Sequence, residues 1–381
     1  MTYSTFFSQR AMTFDDHRNG LYADAIRKLV TPDSVVLDLG AGLGVHGLVA
    51  ALAGAKRVYL VEPEPVVNVA LEIARANGLA DRIVVVQGKI EDVELPEKVD
   101  LIVSVFTGNL LFSEDLLPSL FHARDRYLKP GGHMVPDRAE LMLAPAAAPE
   151  LHAKHVACWS KPNMGLDFSP ARRFAANEIL WLRREEAGLE RLAPGAAVAA
   201  IDLTNSTRAD CDGEAAYRFG ASGLCHGLLC WIRIGLGDQW LSTGPDEPEV
   251  HWSPVLLPLD PPMLAQAGEE VKVSVRRRTG GDWTWTVTAA SGVQRHSSFL
   301  ARVDGPMRLR KMSPDYRPAL GKRGESVLQI LEKMQAGWSN REIADHLIAD
   351  RPAEAGHETF ASADEAMQRV QNLALNYGKQ E

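Results

Sequence analysis

The spacing of apolar residues changes twice along the chain. Between about residues 20 and 137, short apolar runs alternate with segments of helical period. SVVLDLG, RVYLVEP, RIVVVQG and VDLIVSV read as strands, with AALAGA, VVNVALEIARANG and LLPSLFHARDRYL as the helices between them. That rhythm predicts a doubly wound parallel sheet, an α/β Rossmann-like domain over residues 1–137. Beyond Pro136 apolar and polar positions alternate, as in EVKVSVRRR and DWTWTVTAA, which predicts an antiparallel sheet or barrel over 138–304. A helical insertion near Pro170–Ala187 interrupts it. From Pro318 the pattern becomes helical again, three short helices over 318–381, and Gly305–Pro318 reads as the linker before them.

Composition narrows the partners. The 381 residues are 46% hydrophobic, enough to bury the cores of two or three domains. A formal net charge of -8 gives no general attraction to nucleic acid or an anionic membrane, so neither is an expected partner. The four cysteines, Cys158, Cys211, Cys225 and Cys230, lack CxxC or zinc-type spacing, so reduced thiols and no metal site are expected. No apolar run reaches the roughly 20 residues of a membrane span, and MTYSTFFSQRAM has no signal-peptide pattern, so a cytoplasmic location is expected.

The candidate chemistry begins at VLDLGAGLG, residues 36–44. Gly40, Gly42 and Gly44 let the chain turn tightly after a strand and approach a ligand, while the next helix offers unpaired N–H groups. Glu62 follows Gly42 by 20 residues, the offset at which a carboxylate meets a ribose. Such a loop could serve several nucleotides. Asp38 at the strand end, the D-x-G-x-G-x-G frame and YLKPGG at 127–132 together resemble class I methyltransferases, which implies S-adenosylmethionine as cofactor.

The likeness narrows at MTFDDHRNGLY, residues 12–22, which resembles the M-L-x-D-x-x-R-x-x-x-Y segment of protein arginine methyltransferases. The resemblance continues through QGKIEDVELP, VDLIVS, ARDRYLKPGG, CHGLLCWI at 225–232 and VHW at 250–252, covering about residues 3–300. It implies that Arg18 pairs with the carboxylate of the methionine moiety, Glu62 with the ribose hydroxyls and Glu91 with the adenine amino group. It also implies that the insertion around GLDFSPARR (165–173) is part of a dimerisation arm near 160–187, hence a homodimer.

The sequence departs from the family where the acceptor is held. There, a hairpin beginning S-E-x-M-G presents two carboxylates to one guanidinium. Here the hairpin reads SVFTGNLLFSE: Glu114 matches the second carboxylate, and Val105 stands at the first. A buried cation needs paired, hydrogen-bonded partners, so ordinary arginine is not the expected acceptor. Glu114 is the candidate to orient or deprotonate a neutral N–H or O–H group. His251 is a candidate assisting base, or a tie between the barrel and the cofactor domain. Tyr3 corresponds to a tyrosine of the family's N-terminal motif, and Gln9 stands where the family has histidine.

The tail carries two capping boxes, Ser339–Glu342 and Ser362–Glu365. GWSNREIADHL has a helix-turn-helix cadence, yet residues 305–381 hold 11 Lys and Arg against 11 Asp and Glu, a net of zero, without the excess that phosphate binding wants. The tail resembles PqqD-like winged-helix domains, which implies recognition of a precursor peptide and a raised effective concentration at the methyl-transfer site. The expected function is methyl transfer to a peptide or protein nucleophile. A small-molecule N- or O-methyltransferase and a catalytically inactive cofactor-binding protein are the alternatives, and a helical cap is the alternative for the tail.

Overall fold

The computed structural model describes residues 5–182, 188–349, 360 and 362–378. Tyr3 and residues 183–187 of the expected arm lie outside them. The chain divides into two compact units, one reaching Val303 and the other beginning at Asp304.

The first unit opens with helices α1 (Phe6–Thr13) and α2 (Asp16–Leu29). A parallel sheet follows: β1 (Val35–Leu39), β2 (Arg57–Glu62), β3 (Ile83–Gln87), β4 (Val99–Ser104) and β5 (Leu128–Val135), in the order β3-β2-β1-β4-β5. Helices α3 (Val45–Leu52), α4 (Val67–Ala76) and α5 (Leu117–Tyr127) make crossovers. Every residue of β1 is buried, the unbroken apolar run of a strand covered on both faces. Its register beside β2 and β4 aligns Asp38 with Leu60 and Val103, so the strand ends converge on one edge, where α/β sheets place their ligands.

The rest of the unit is antiparallel, as the alternating pattern predicts. One sheet runs β7 (Leu180–Trp181), β13 (Val255–Ala265), β11 (Gly223–Leu236), β6 (Arg138–Ala147) and β8 (Glu190–Arg191), with β9 (Ala196–Asp202) on β6 and β12 (Gln239–Ser242) on β11. The other runs β10 (Cys211–Arg218), β14 (Glu270–Arg277), β15 (Thr284–Ala289) and β16 (Gly292–Ser297). Both contribute to one buried core with the parallel sheet; Trp285 and Phe219 join Leu37 and Ile102 in it.

The insertion is less helical than its sequence predicts. After α6 (Pro149–His155) come two short 3-10 turns and a single turn of helix, α7 (Arg172–Ala175). Asn177 ends α7: its amide nitrogen donates to the Arg173 carbonyl (2.7 Å) and its oxygen accepts from the Ser297 N–H (2.9 Å). Leu180 and Trp181 then pair with β13, so ladder bonds take the place of helical ones. The tip presents Met164, Leu166 and Phe168 to solvent.

Among the described residues the second unit is all helical: α8 (Pro306–Lys311), α9 (Lys322–Gln335), α10 (Asn340–Ala349) and α11 (Ala363–Tyr377). The stretch read as a linker holds α8, which starts at a proline and carries an Asp304–Arg308 ion pair of 2.8 Å at its first turn. Ile330, Ile343, Ala366, Val370 and Leu373 form its core. The Ser339–Glu342 capping box forms with both bonds, Ser339 N–H to Glu342 (2.8 Å) and Glu342 N–H to the Ser339 hydroxyl (3.3 Å), and Ser362 caps α11 by accepting the Glu365 N–H (3.2 Å). A winged helix would add strands, and none occurs among the described residues.

Candidate active site

A cavity of about 730 Å³ opens at the carboxyl edge of the parallel sheet. The glycine loop forms one wall, α1 and α2 a second, the hairpin after β4 a third, and His251 with Trp252 close it from the antiparallel domain. Gly40 has φ +73°, and a Cβ there would collide with the Phe106 ring. Gly42 has φ +53°, and its Cβ would meet Gln9 Oε1 at 2.7 Å. Both positions favour glycine for the left-handed backbone, and Gly40 also for the close approach of the Phe106 ring. Gly44 caps the N-terminus of α3.

Asp38 is not a wall of the cavity. It is buried behind the loop, where its carboxylate accepts the Gly47 N–H of α3 at 2.7 Å and ties strand to helix. Burial, with the Glu62 charge, pushes its carboxyl up to about 7 despite that bond. Glu62 does line the cavity, accepting the N–H groups of Gly42 and Glu64, each at 3.0 Å. Burial raises its pKa as well. Glu91 lies elsewhere: it is exposed, takes a hydrogen bond from the Ser119 hydroxyl, and is absent from the cavity wall.

Arg18, on α2, is the buried cation of the site. Its guanidinium donates to the Met12 carbonyl (2.6 Å) and to Asn19 Oδ1 (3.0 and 3.1 Å), and lies 5.4 Å from the centre of the Trp252 ring. Asp15 supports it, although its own position suggested no role in the sequence. One Asp15 oxygen accepts the Arg18 N–H (3.1 Å) as the N-cap of α2; the other accepts the backbone N–H and ring Nδ1 of His251 at 2.8 and 3.0 Å. Burial works to raise the Asp15 pKa, but these bonds outweigh it and hold the carboxyl below its ordinary range.

A carboxylate can only accept, so His251 Nδ1 carries the hydrogen and Nε2, 3.4 Å from Arg18 Nη1, accepts. Burial, aided by the Arg18 charge, lowers the His251 pKa. Both ring nitrogens are committed, which places His251 in the tie between the two parts of the unit. His46, on α3, stacks on Tyr22 at 4.5 Å, and burial pushes it down to about 3.

Glu114 and Val105 both line the cavity, as the hairpin alignment requires. Asn109, which the sequence did not single out, joins them: its amide nitrogen donates to Glu114 Oε1 (3.3 Å) and its oxygen accepts the Ser253 N–H (3.0 Å). The hairpin therefore presents one carboxylate, one amide and the apolar faces of Val105 and Phe106.

Known proteins resemble this chain in sequence and fold. The family model of a methyltransferase domain matches residues 36–132, and that of the arginine methyltransferase oligomerization subdomain matches 137–284. Protein arginine N-methyltransferase 1 of Schizosaccharomyces pombe is 31% identical over 286 residues, 72% of this chain and 82% of that protein. A probable histone-arginine methyltransferase 1.4 of Arabidopsis thaliana is 34% identical over 285 residues, 71% of this chain and 54% of that protein, so the chain spans about half of that relative. Among solved structures, the Trypanosoma brucei PRMT1 enzyme-prozyme heterotetrameric complex with AdoHcy superposes with a TM-score of 0.69 and 27% identity, over 78% of this chain and 98% of that one. Protein arginine methyltransferase 10 of Arabidopsis thaliana gives 0.65 at 23% identity, over 78% and 99%, a likeness of fold.

Proposed function

This chain belongs to the protein arginine methyltransferase family as an S-adenosylmethionine-dependent methyltransferase, and we propose that its acceptor is a neutral nitrogen or oxygen nucleophile of a peptide or protein, not the guanidinium of ordinary arginine. The residues fit the cofactor. The cavity offers a glycine-rich loop that allows close backbone approach, a buried guanidinium suited to a carboxylate, and a carboxylate, Glu62, suited to a ribose diol. Glu91 stands on an exposed turn outside this cavity wall.

When bound, the cofactor supplies a methyl group on a positively charged sulfur. The protein must then align a lone pair, exclude water and handle one proton. Arg18 fixes the carboxylate end, and the Asp15–His251 pair fixes Arg18. Glu114 orients the acceptor through its N–H or O–H and takes the proton as the new bond forms.

One observation carries the choice of acceptor: Val105 stands where a second carboxylate would be. The hairpin then offers one negative charge, which one positive centre on the cofactor balances. A guanidinium would add a second cation with no partner, and buried charge of that kind is costly. The test is tandem mass spectrometry after incubating the protein with methyl-labelled S-adenosylmethionine and a peptide extract of its host. Label on arginine guanidinium nitrogens would sink this reading.

The same Val105 favours a second reading, a cofactor-binding chain without turnover, which predicts cofactor affinity but no label anywhere. For the tail we propose a precursor-peptide site on residues 318–381. Its support is the exposed Leu328 and Trp338 on the helical unit. Label in a host peptide should vanish when the tail is removed while cofactor binding persists. We also propose a homodimer through the arm, because its tip exposes Met164, Leu166 and Phe168.

A further inference from the structure

We propose that Arg277, on β14, is a positioning residue for methyl transfer: it clamps the hairpin that carries Glu114 and so sets where that carboxylate stands. The inference rests on the acceptor-handling role of Glu114 given above. Arg277 is distant in sequence from the glycine loop and from every motif of the cofactor site, and it does not line the cavity.

The clamp is built from three neighbours of Glu114. The buried Arg277 guanidinium donates to the Phe112 carbonyl on one side and, bidentately, to Asp115 Oδ1 and Oδ2 at 2.8 and 2.7 Å on the other. Asp115 Oδ1 also accepts the Gly280 N–H at 2.8 Å, from the turn between β14 and β15. Trp283 donates its indole N–H to the Ser113 hydroxyl at 3.0 Å, and its ring packs edge-on against Phe112 with centroids 6.5 Å apart. Residues 112, 113 and 115 are thus each fastened to one hairpin of the antiparallel domain, and Glu114 is the residue left pointing to the cavity wall.

Backbone geometry shows why a clamp is needed. Leu111 and Asp115 have φ of +52° and +55°, left-handed conformations that non-glycine residues hold only when their surroundings impose them. A planar, bidentate donor supplies the direction as well as the charge, which a lysine would not reproduce. On the cavity side Asn109 bridges Glu114 to the Ser253 N–H, so the carboxylate is fixed from both faces of the hairpin.

The experiment is a double-mutant cycle on the full chain with Arg277→Met, Glu114→Gln and the double variant, plus Arg277→Lys and Asp115→Asn in case Arg277→Met fails to fold. The readouts are label transfer from methyl-labelled S-adenosylmethionine into a host peptide extract, and cofactor affinity by calorimetry. Displacing a reacting group by about 1 Å can cost on the order of 100-fold in rate, so Arg277→Met should slow transfer by about that factor while cofactor affinity stays within about twofold. Arg277→Lys should restore part of the rate, and in the Glu114→Gln background Arg277→Met should slow transfer by less than about threefold, the non-additivity of groups that act as a unit. An equal loss in both backgrounds overturns the inference, as does full activity of Arg277→Met beside an impaired Glu114→Gln. Full activity of Glu114→Gln overturns the acceptor role of Glu114 itself, and this inference with it.

Discussion

Replacing Asp15 separates the tie from the cavity wall. Asp15 is buried, caps α2 through the Arg18 N–H, and accepts two further bonds from His251. The cap alone is worth about 1 kcal/mol. Each bond from His251 to a charged acceptor adds about 1.5–3 kcal/mol, but one carboxylate serves them all and the terms are not additive. Asp15→Ala should therefore cost about 3–5 kcal/mol, the range for breaking a buried charged pair. Asp15→Asn keeps a cap and one acceptor oxygen and should cost about 1–3 kcal/mol, because it removes the charge that faces Arg18 and the second acceptor that His251 uses. Urea unfolding measures the loss, and calorimetry with S-adenosylmethionine should show affinity falling at least about tenfold, since a loosened Arg18 costs about 1.4 kcal/mol or more of carboxylate binding. Wild-type stability and affinity in Asp15→Asn would refute the claim that Asp15 positions Arg18.

Gly40→Ala should destabilise by about 2–4 kcal/mol, from a left-handed alanine and a Cβ driven against Phe106, with cofactor binding lost; intact affinity by calorimetry would contradict the loop assignment. Glu114→Gln should leave cofactor affinity unchanged and slow methyl transfer by about 10²- to 10⁴-fold, the usual share of a general base, in a labelled-methyl assay. Val105→Glu restores a second hairpin carboxylate and should bring measurable label onto an arginine peptide where the native chain gives none. His251 should make folding sensitive to acid. Its folded pKa lies below its ordinary value near 6.5, so the unfolded chain binds the proton first and stability falls as pH drops below about 6.5, read as a declining melting midpoint whose slope His251→Gln reduces, the rest coming from other buried histidines such as His46.

The cofactor half of the site was legible because its chemistry is local. A strand, a glycine turn and a helix start occupy consecutive residues, and Glu62 follows at the end of the neighbouring strand. Arg18 was legible from its likeness to a family segment, and that segment also contained Asp15, whose role showed only when His251 arrived from 236 residues away. Asn109 and Arg277 had no signal of their own. Asn109 sits in an apolar hairpin and earns its place through Ser253, and Arg277 is the second of two arginines that end a strand whose alternation predicts only which way each points. The reading of Glu91 as an adenine contact rested on the family resemblance of QGKIEDVELP, and the structure places its carboxylate on an exposed turn, where it accepts the Ser119 hydroxyl. Helical periodicity overestimated the arm because Leu180–Trp181 could pair with β13, an option a local window does not contain.

The two halves of the site differ in what fixes them, and the difference bears on specificity. On the cofactor side, backbone groups and residues of the parallel sheet do most of the holding: the loop N–H groups, Asp38 behind them, and Glu62 on the adjoining strand. On the acceptor side, the antiparallel domain bonds the hairpin through Ser253, Arg277, Gly280 and Trp283. A change at Val105 can therefore alter the charge offered to the acceptor without disturbing the glycine loop, because the loop N–H groups of Gly40 and Ala41 bond to the Val61 carbonyl and that of Gly42 to Glu62. The reverse does not hold for Phe106, whose ring lies where a Gly40 side chain would go, so that it belongs to both walls. Phe106, next to Val105, is thus constrained by the cofactor loop, while Val105 lines the cavity and packs on the core, so a change of side chain at that one residue is compatible with an unchanged glycine loop.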